Sequence, residues 1–155
     1  MNKRKVLIPI DGTERSMHSL EFVKEIFPKG SVDVILMNVK ELVLLNEMIV
    51  AKEVEMAKDL SEDILSEAKE KIQDYYNTET YFTFGYPGDE IIKKANEENI
   101  GIIVMTKSTK RGLNRIIGSV TSSVVKRAKC IVMIVPNDFT TVSYTHLKLP
   151  TNDFV

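Results

Sequence analysis

The chain has 155 residues, of which 43% are hydrophobic and 28% are charged, and its formal net charge is −1 at pH 7. This length is typical of one domain with a single core, and the balanced charge argues against a general nucleic-acid or membrane binder. The single cysteine excludes an internal disulfide and is typical of a reducing compartment. No apolar run reaches the ~18–20 residues that a membrane span needs. We therefore expect a cytoplasmic protein.

The first part of the chain predicts strands that alternate with helices. Residues Val6 to Ile10 form a short continuous apolar run, which is typical of a strand covered on both faces. The turn Asp11-Gly12-Thr13 follows, with Thr13 as a candidate N-cap. Apolar residues at helical spacing then continue to Phe27. Residues Val32 to Val39 predict the second strand.

The middle of the chain continues the same alternation. Apolar positions recur with a helical period from Val54 to Ile72, which predicts a long amphipathic helix. Residues Thr78 to Phe84 are rich in β-branched and aromatic side chains and predict the third strand. After a Gly-Tyr-Pro-Gly turn, Asp89 to Asn99 predicts a short helix, and Ile102 to Met105 the fourth strand.

The last predicted helix runs from Ser119 to Lys129, and the fifth strand from Cys130 to Val135. The apolar face of this helix is predicted to consist of Val120, Val124, Val125 and Ala128. Regular alternation of strands and helices predicts an α/β fold, an open parallel sheet doubly wound by helices on both faces. Ligands of such sheets bind beyond the carboxyl ends of the strands.

The start of this last helix is a candidate anion site. Gly118-Ser119 opens the helix, and a helix start offers unpaired N–H groups and a positive dipole end to a phosphate. The preceding loop adds four cationic side chains, Lys107, Lys110, Arg111 and Arg115. The simpler interpretation is an ordinary helix start beside a solvated basic surface. The neighbouring hydroxyls of residues 121–123 favour the anion site.

The sequence predicts neither catalytic nor metal-binding residues. One cysteine and two scattered histidines do not give a zinc-ligand spacing. The spacing from Gly112 to Gly118 differs from that of a P-loop, and a lysine does not follow the second glycine. We found no pairing of a nucleophile with a base, so we expect a protein that is not an enzyme.

Residues 137–155 differ in character from the rest of the chain. Their hydrophobic residues are scattered without a period, and the words SYTHLKLPTNDFV resemble translated sequencing adaptor. We expect a non-domain tail, either disordered or a sequencing artefact, beside a domain of residues 1–136.

Three stretches of residues 3–136 carry a family resemblance: KVLIPIDGTERSMHSLEF, GYPGDEIIKKANEENIGIIVM and KRGLNRIIGSVTSSVVKRAKCIVMIVP. In this order and at these spacings they resemble the universal stress protein family. The resemblance implies a five-stranded sheet of order 3-2-1-4-5, an adenine-nucleotide site and a homodimer formed through the last strand. The apolar run Ile131 to Val135 suits that role, because an unpaired apolar edge strand needs cover.

The resemblance also implies which residues bind the nucleotide. Asp11 matches the family's acidic residue near the ribose, although it could equally cap the first helix, and Val39 matches the apolar residue beside adenine. The family's phosphate loop has the form G-x2-G-x9-G-[ST], of which Gly118-Ser119 is present. Thr106 and Thr109 replace the two earlier glycines, and the spacer to Gly118 is eight residues. The complete set of expected ligand contacts is Pro9, Asp11, Val39, Met105, Thr106, Thr109, Gly118, Ser119, Val120 and Thr121.

Two functions from different classes follow from the resemblance. The first is a non-catalytic ATP-binding stress-response protein with a degenerate phosphate loop, in which Mg²⁺ accompanies the ATP. The alternative is a dimeric stress protein that binds no nucleotide and acts through protein partners, which the two threonines favour. A slow ATP hydrolase would be a third function, but it needs a water-activating residue that the sequence does not reveal.

Overall fold

Five strands and four helices alternate along the chain in a computed structural model, which describes residues 2–41, 51–107 and 118–136. The elements are β1 (Arg4–Pro9), α1 (Glu14–Ile26), β2 (Val32–Lys40), α2 (Ala51–Ile72), β3 (Asn77–Phe84), α3 (Pro87–Glu97), β4 (Ile102–Thr106), α4 (Ser119–Arg127) and β5 (Ile131–Val135). Every predicted strand and helix is present. The expected tail of residues 137–155, and Thr109, Lys110, Arg111 and Arg115 of the loop, lie outside the described residues.

All strand pairs are parallel, and the strand order is β3-β2-β1-β4-β5. This order confirms the predicted doubly wound sheet. β1 lies at the centre, where Leu7 faces Ile35 of β2 on one side and Ile103 of β4 on the other. The chain leaves β1 toward β2 and reaches β4 only later, so the strand order reverses between β1 and β4. A crevice is expected at that point of the carboxyl edge.

The alternation of side chains along β1 supplies both cores. Successive residues of a strand point to opposite faces of the sheet. Val6 and Ile8 are fully buried in a cluster that includes α1 and α2 residues, whereas Leu7 is fully buried in a cluster with α3 and α4 residues. Each of these side chains contributes about 1.5–3 kcal/mol through burial. This two-sided burial explains why β1 is a continuous apolar run.

The ends of two predicted helices were wrong by a few residues. α3 begins at Pro87, two residues earlier than predicted, because proline suits the first helical turn. It ends at Glu97 because Asn99 has a left-handed backbone, with φ of 52°. α4 ends at Arg127, and β5 begins at Ile131 after an extended connection.

One predicted core position on α4 was also wrong. Val124 is fully buried, but Val125 is 46% exposed because the next residue of a helix lies about 100° around its axis. A run of two valines therefore cannot place both side chains on a narrow buried face. Among the helices of the described ranges, none is long and apolar enough to cross a membrane.

Candidate functional site

A cleft of 310 Å³ lies at the carboxyl edge of the sheet, where the ends of β1, β2 and β4 meet the starts of α1, α3 and α4. This is the point where the strand order reverses. Seven of the ten residues expected to contact a ligand line it: Pro9, Asp11, Val39, Met105, Thr106, Val120 and Thr121. The carboxyl ends of β1, β2 and β4 therefore lie together at one edge of the sheet.

The other three expected residues do not line the cleft in the described structure. Gly118 and Ser119 immediately precede Val120 at the start of α4, and the Ser119 side chain is exposed. Thr109 lies outside the described residues. Thr106 is the last residue of β4 and pairs with Val135 of β5. Its backbone is not left-handed, so threonine fits this position without strain.

The sequence interpretation did not assign several lining residues to the site, among them Ile10, Thr13, Arg15, Ser16, Pro87 and Ile91. Arg15 and Ser16 belong to the first turn of the helix that follows β1, and that position alone was a usable signal. Pro87 and Ile91 reach the cleft only because α3 packs beside α4, which the sequence did not reveal. Met37 of β2 is fully buried and also lines the cleft.

The turn between β1 and α1 is held by its own side chains. The Thr13 N–H and hydroxyl both donate to Oδ1 of Asp11, at 2.9 and 2.6 Å. The Ser16 N–H donates to the Thr13 hydroxyl at 3.3 Å, and the Asp11 N–H donates to the Ser16 hydroxyl at 3.3 Å. Thr13 is thus the N-cap of α1, as predicted.

These hydrogen bonds keep the Asp11 carboxylate ionised. Desolvation at the cleft raises the pKa of Asp11, but hydrogen bonds from Thr13 and Ser16 together outweigh it and hold the pKa below 3.8. The Asp11 carboxylate lines the cleft, where it can accept a hydrogen bond from a ligand hydroxyl.

A buried polar pair fixes the end of β1 beneath this turn. The Asn38 side-chain amide donates to the Ile10 carbonyl at 2.6 Å and accepts from the Ser61 hydroxyl at 2.6 Å. Asn38 is 2% exposed and Ser61 is fully buried. Because an unpaired polar group is costly in such a place, the pair connects β1, β2 and α2 in one geometry. It fixes the residue immediately before Asp11.

The start of α4 differs from the start of α1. Its N-cap is Gly118, and no side chain caps the helix within the described residues. The first turn of α4 contains no acidic residue, so its N–H groups and dipole are not neutralised by a neighbouring carboxylate. Val120 and Thr121 of that turn line the cleft.

Two cations and one carboxylate line the described part of the cleft. The cations are Arg15 and Lys107, and the carboxylate is Asp11. The Arg15 guanidinium donates from Nη1 to the Lys107 carbonyl at 3.4 Å, which connects α1 to the end of β4. The charges of this lining favour an anionic ligand.

Apolar side chains of the cleft include Met37 and Val39 of β2, Ile91 of α3, Met105 of β4 and Val120 of α4. Mainly apolar walls with a few placed polar groups are typical of small-molecule sites. In residues 2–41, 51–107 and 118–136, no group of three or more His, Cys, Asp or Glu side chains has the arrangement of a metal site. The fold and the cleft therefore define a doubly wound α/β protein with a candidate small-molecule site at the carboxyl edge of its sheet.

Comparison with known proteins identifies the family. Residues 2–136 match the sequence profile of the universal stress protein family, and the chain belongs to that family. Two relatives are universal stress proteins of Methanocaldococcus jannaschii. MJ0531 is 29% identical over 85% of this chain and 81% of its own length, and MJ0577 is 29% identical over 85% and 94%. The solved structure of MJ0577 matches with a TM-score of 0.71, at 27% identity, over 90% of this chain and all of that one.

Other solved members of this family hold adenine nucleotides. A universal stress protein in complex with cAMP matches with a TM-score of 0.62 at 19% identity, over 89% of this chain and all of that one. A family member from Arabidopsis thaliana with AMP bound matches with a TM-score of 0.65 at 17% identity, over 86% of this chain and 91% of that one. At this identity the likeness shows the fold that the proteins share.

Proposed function

We propose that this chain is a non-catalytic stress-response protein that binds an adenine nucleotide in the cleft between β1 and β4. The observation that carries the proposal is the lining of this cleft, in which an apolar wall, an ionised carboxylate and two cations surround one space. These are the three environments that a base, a ribose and a phosphate require. Relatives of the same fold in complex with AMP and cAMP support the choice of adenine.

The residues present fit the parts of a nucleotide. The volume of 310 Å³ lies at the lower end of the range of about 300–1,000 Å³ for small-molecule sites. Val39 and Ile91 would contact the base, Asp11 the ribose hydroxyls and the start of α4 the phosphates. With Asp11 as the lone carboxylate in the described lining, a Mg²⁺ that accompanies ATP would be held mainly by phosphate oxygens.

Equilibrium titration of the full chain tests the proposal. We expect AMP, and ATP with magnesium, to bind at millimolar concentration or below, and GMP to bind more weakly. Val39→Phe fills the cleft beside the base and should abolish binding. Val125→Phe adds the same volume on α4 at a side chain that is 46% exposed and away from the cleft lining, so it should bind as the wild type does. Failure of the wild type to bind any adenine nucleotide would contradict the proposal.

The alternative function is a dimeric stress protein that acts through protein partners without a nucleotide. Thr106 favours it, because a threonine at the cleft presents a Cβ and a methyl group where the family's loop has glycine. The same titration decides between the two functions. A wild type and a Val39→Phe variant that both bind no nucleotide would support the partner-binding function.

We propose that two copies associate through β5. This strand is at the edge of the sheet, its first residue Ile131 is 52% exposed, and an apolar edge strand favours pairing with another chain. Sedimentation of the wild type should give a dimer, and Ile131→Lys should shift it toward the monomer. A wild type that sediments as a monomer would contradict this.

We further propose that the functional unit is residues 1–136 and that the protein acts in the cytoplasm. The family match over residues 2–136 supports the first point. The single cysteine supports a reducing compartment.

A further inference from the structure

Arg15 is a cation of the cleft that has no acidic partner among the described residues. No carboxylate lies within salt-bridge distance of it there, although Asp11 lines the same cleft. Arg15 is partly buried, and a charge that is partly removed from water is stabilised by an opposite charge. An anionic ligand would supply the missing partner.

The Arg15 guanidinium is also held in place. Its Nη1 donates to the Lys107 carbonyl at 3.4 Å, and the Lys107 N–H donates to the Val135 carbonyl at 3.1 Å. The side chain therefore spans from α1 to a fixed point at the end of β4. A guanidinium has five N–H donors in a planar fork, so most of them remain for a ligand. Arginine in such a position is suited to phosphate, which it binds through two parallel hydrogen bonds.

By the family resemblance, Thr106 and Thr109 stand where the phosphate loop of the family has glycine. A side chain at such a position limits how closely the backbone can approach an anion. A charged side chain can replace such contacts, and the Arg15 guanidinium reaches from the first turn of α1 to Lys107, the residue after Thr106.

We propose that Arg15 binds the phosphate of the nucleotide and that its charge makes the cleft select nucleotides over nucleosides. This inference rests on the proposed nucleotide site and names the residue that determines its selectivity. Because the contact is between opposite charges, binding of AMP should weaken as ionic strength rises, whereas binding of adenosine should not.

The experiment compares AMP with adenosine in titrations of the full-length wild type, Arg15→Gln and Arg15→Lys. Gln removes the charge and is too short to reach the Lys107 carbonyl as Arg15 does, so the comparison of AMP with adenosine within this variant isolates the effect on the phosphate. We expect Arg15→Gln to weaken AMP binding about tenfold, the lower end for a hydrogen bond to a charged group, and adenosine binding less than about twofold. Arg15→Lys keeps the charge without the planar fork and should weaken AMP binding about threefold.

Lys129→Gln is the matched control, since it removes one positive charge two residues before β5, at the amino edge of the sheet. Its ratio of AMP to adenosine affinity should equal that of the wild type. The ratio is measured within each variant, so a loss of stability that affects both ligands cancels.

Two results would overturn the inference, and they are distinguishable. A wild type that binds neither ligand at millimolar concentration removes the proposed nucleotide site and this inference with it. A wild type that binds AMP, with an unchanged ratio in Arg15→Gln, removes only the role of Arg15.

Discussion

Two helix starts border the cleft, and they are built in opposite ways. At α1, Asp11, Thr13 and Ser16 are joined by hydrogen bonds of 2.6 to 3.3 Å. At α4, the N-cap is a glycine, and no side chain caps the helix within the described residues. The start of α1 is held together by side-chain hydrogen bonds, whereas the start of α4 has backbone N–H groups that no side chain caps among the described residues. One cleft thus combines a rigid wall with a wall of uncapped backbone donors.

The largest expected effect is a loss of stability when the buried Asn38 side chain is removed. Asn38→Ala removes both hydrogen bonds of the buried pair and leaves the Ile10 carbonyl and the Ser61 hydroxyl without partners. We expect a loss of about 2–3 kcal/mol in the free energy of unfolding, measured by urea denaturation. Asn77→Ala changes an exposed asparagine at the start of β3 and should stay within about 0.5 kcal/mol. Equal effects of the two variants would contradict the role of Asn38.

A second variant makes the α4 start resemble the α1 start. Gly118 has a φ of −56°, so a side chain is compatible with its backbone. Gly118→Asp should cap the helix and stabilise it by a few tenths of a kcal/mol, yet weaken AMP binding at least about tenfold, because a carboxylate repels the phosphate.

Gly118→Asn is the control for this variant, since it offers a similar cap without the charge. It should retain most of the AMP binding, as measured by calorimetric titration. If the Gly118→Asp and Gly118→Asn variants bind AMP equally well, the phosphate does not lie near the start of α4.

Substitutions at the start of α1 should change the free energy of unfolding. Thr13→Ala removes the N-cap acceptor of the Ser16 N–H and one donor to Asp11, which should cost about 1 kcal/mol in thermal or urea unfolding. Thr13→Ser keeps the hydroxyl and should cost much less. A Thr13→Ala protein as stable as the wild type would show that the network does not stabilise this turn.

The smallest effect is a pH dependence. The pKa of Asp11 is below 3.8 in the folded protein, because the bonds from Thr13 and Ser16 outweigh desolvation. Its contribution to stability is therefore complete above the pKa of the unfolded chain and is lost as pH falls through the folded value. We expect Asp11→Asn to be less stable than the wild type at pH 6, with the difference shrinking as pH falls below 3.8. A difference that does not change with pH would contradict the assignment.

The fold was predictable from the sequence because its signals are local and agree with one another. The apolar run of β1, the helical period of α2 and the turn before α3 each indicated one element. The positions of Asp11, Val39 and Met105 at one edge then followed from the parallel sheet. Helix ends were less predictable, since they depend on single backbone conformations such as that of Asn99.

Part of the site was not predictable, for physical reasons. Ile91 reaches the cleft through the packing of α3 beside α4, which a sequence pattern does not encode. In the sequence, Arg15 resembles an ordinary solvated helix residue. Only the structure shows its hydrogen bond to the Lys107 carbonyl, which holds the side chain at the cleft. The buried bond between Asn38 and Ser61 joins residues 23 positions apart, and neither residue type reveals its partner.

The measurement that tests the central claim most directly is an NMR titration of the ¹⁵N-labelled full chain with AMP. We predict amide shifts that saturate with one site at the cleft, at Asp11, Val39, Met105 and Val120, and none at Asn99 and Cys130 on the amino edge of the sheet. Absence of shifts at millimolar AMP, or shifts centred on the amino edge, would contradict the account.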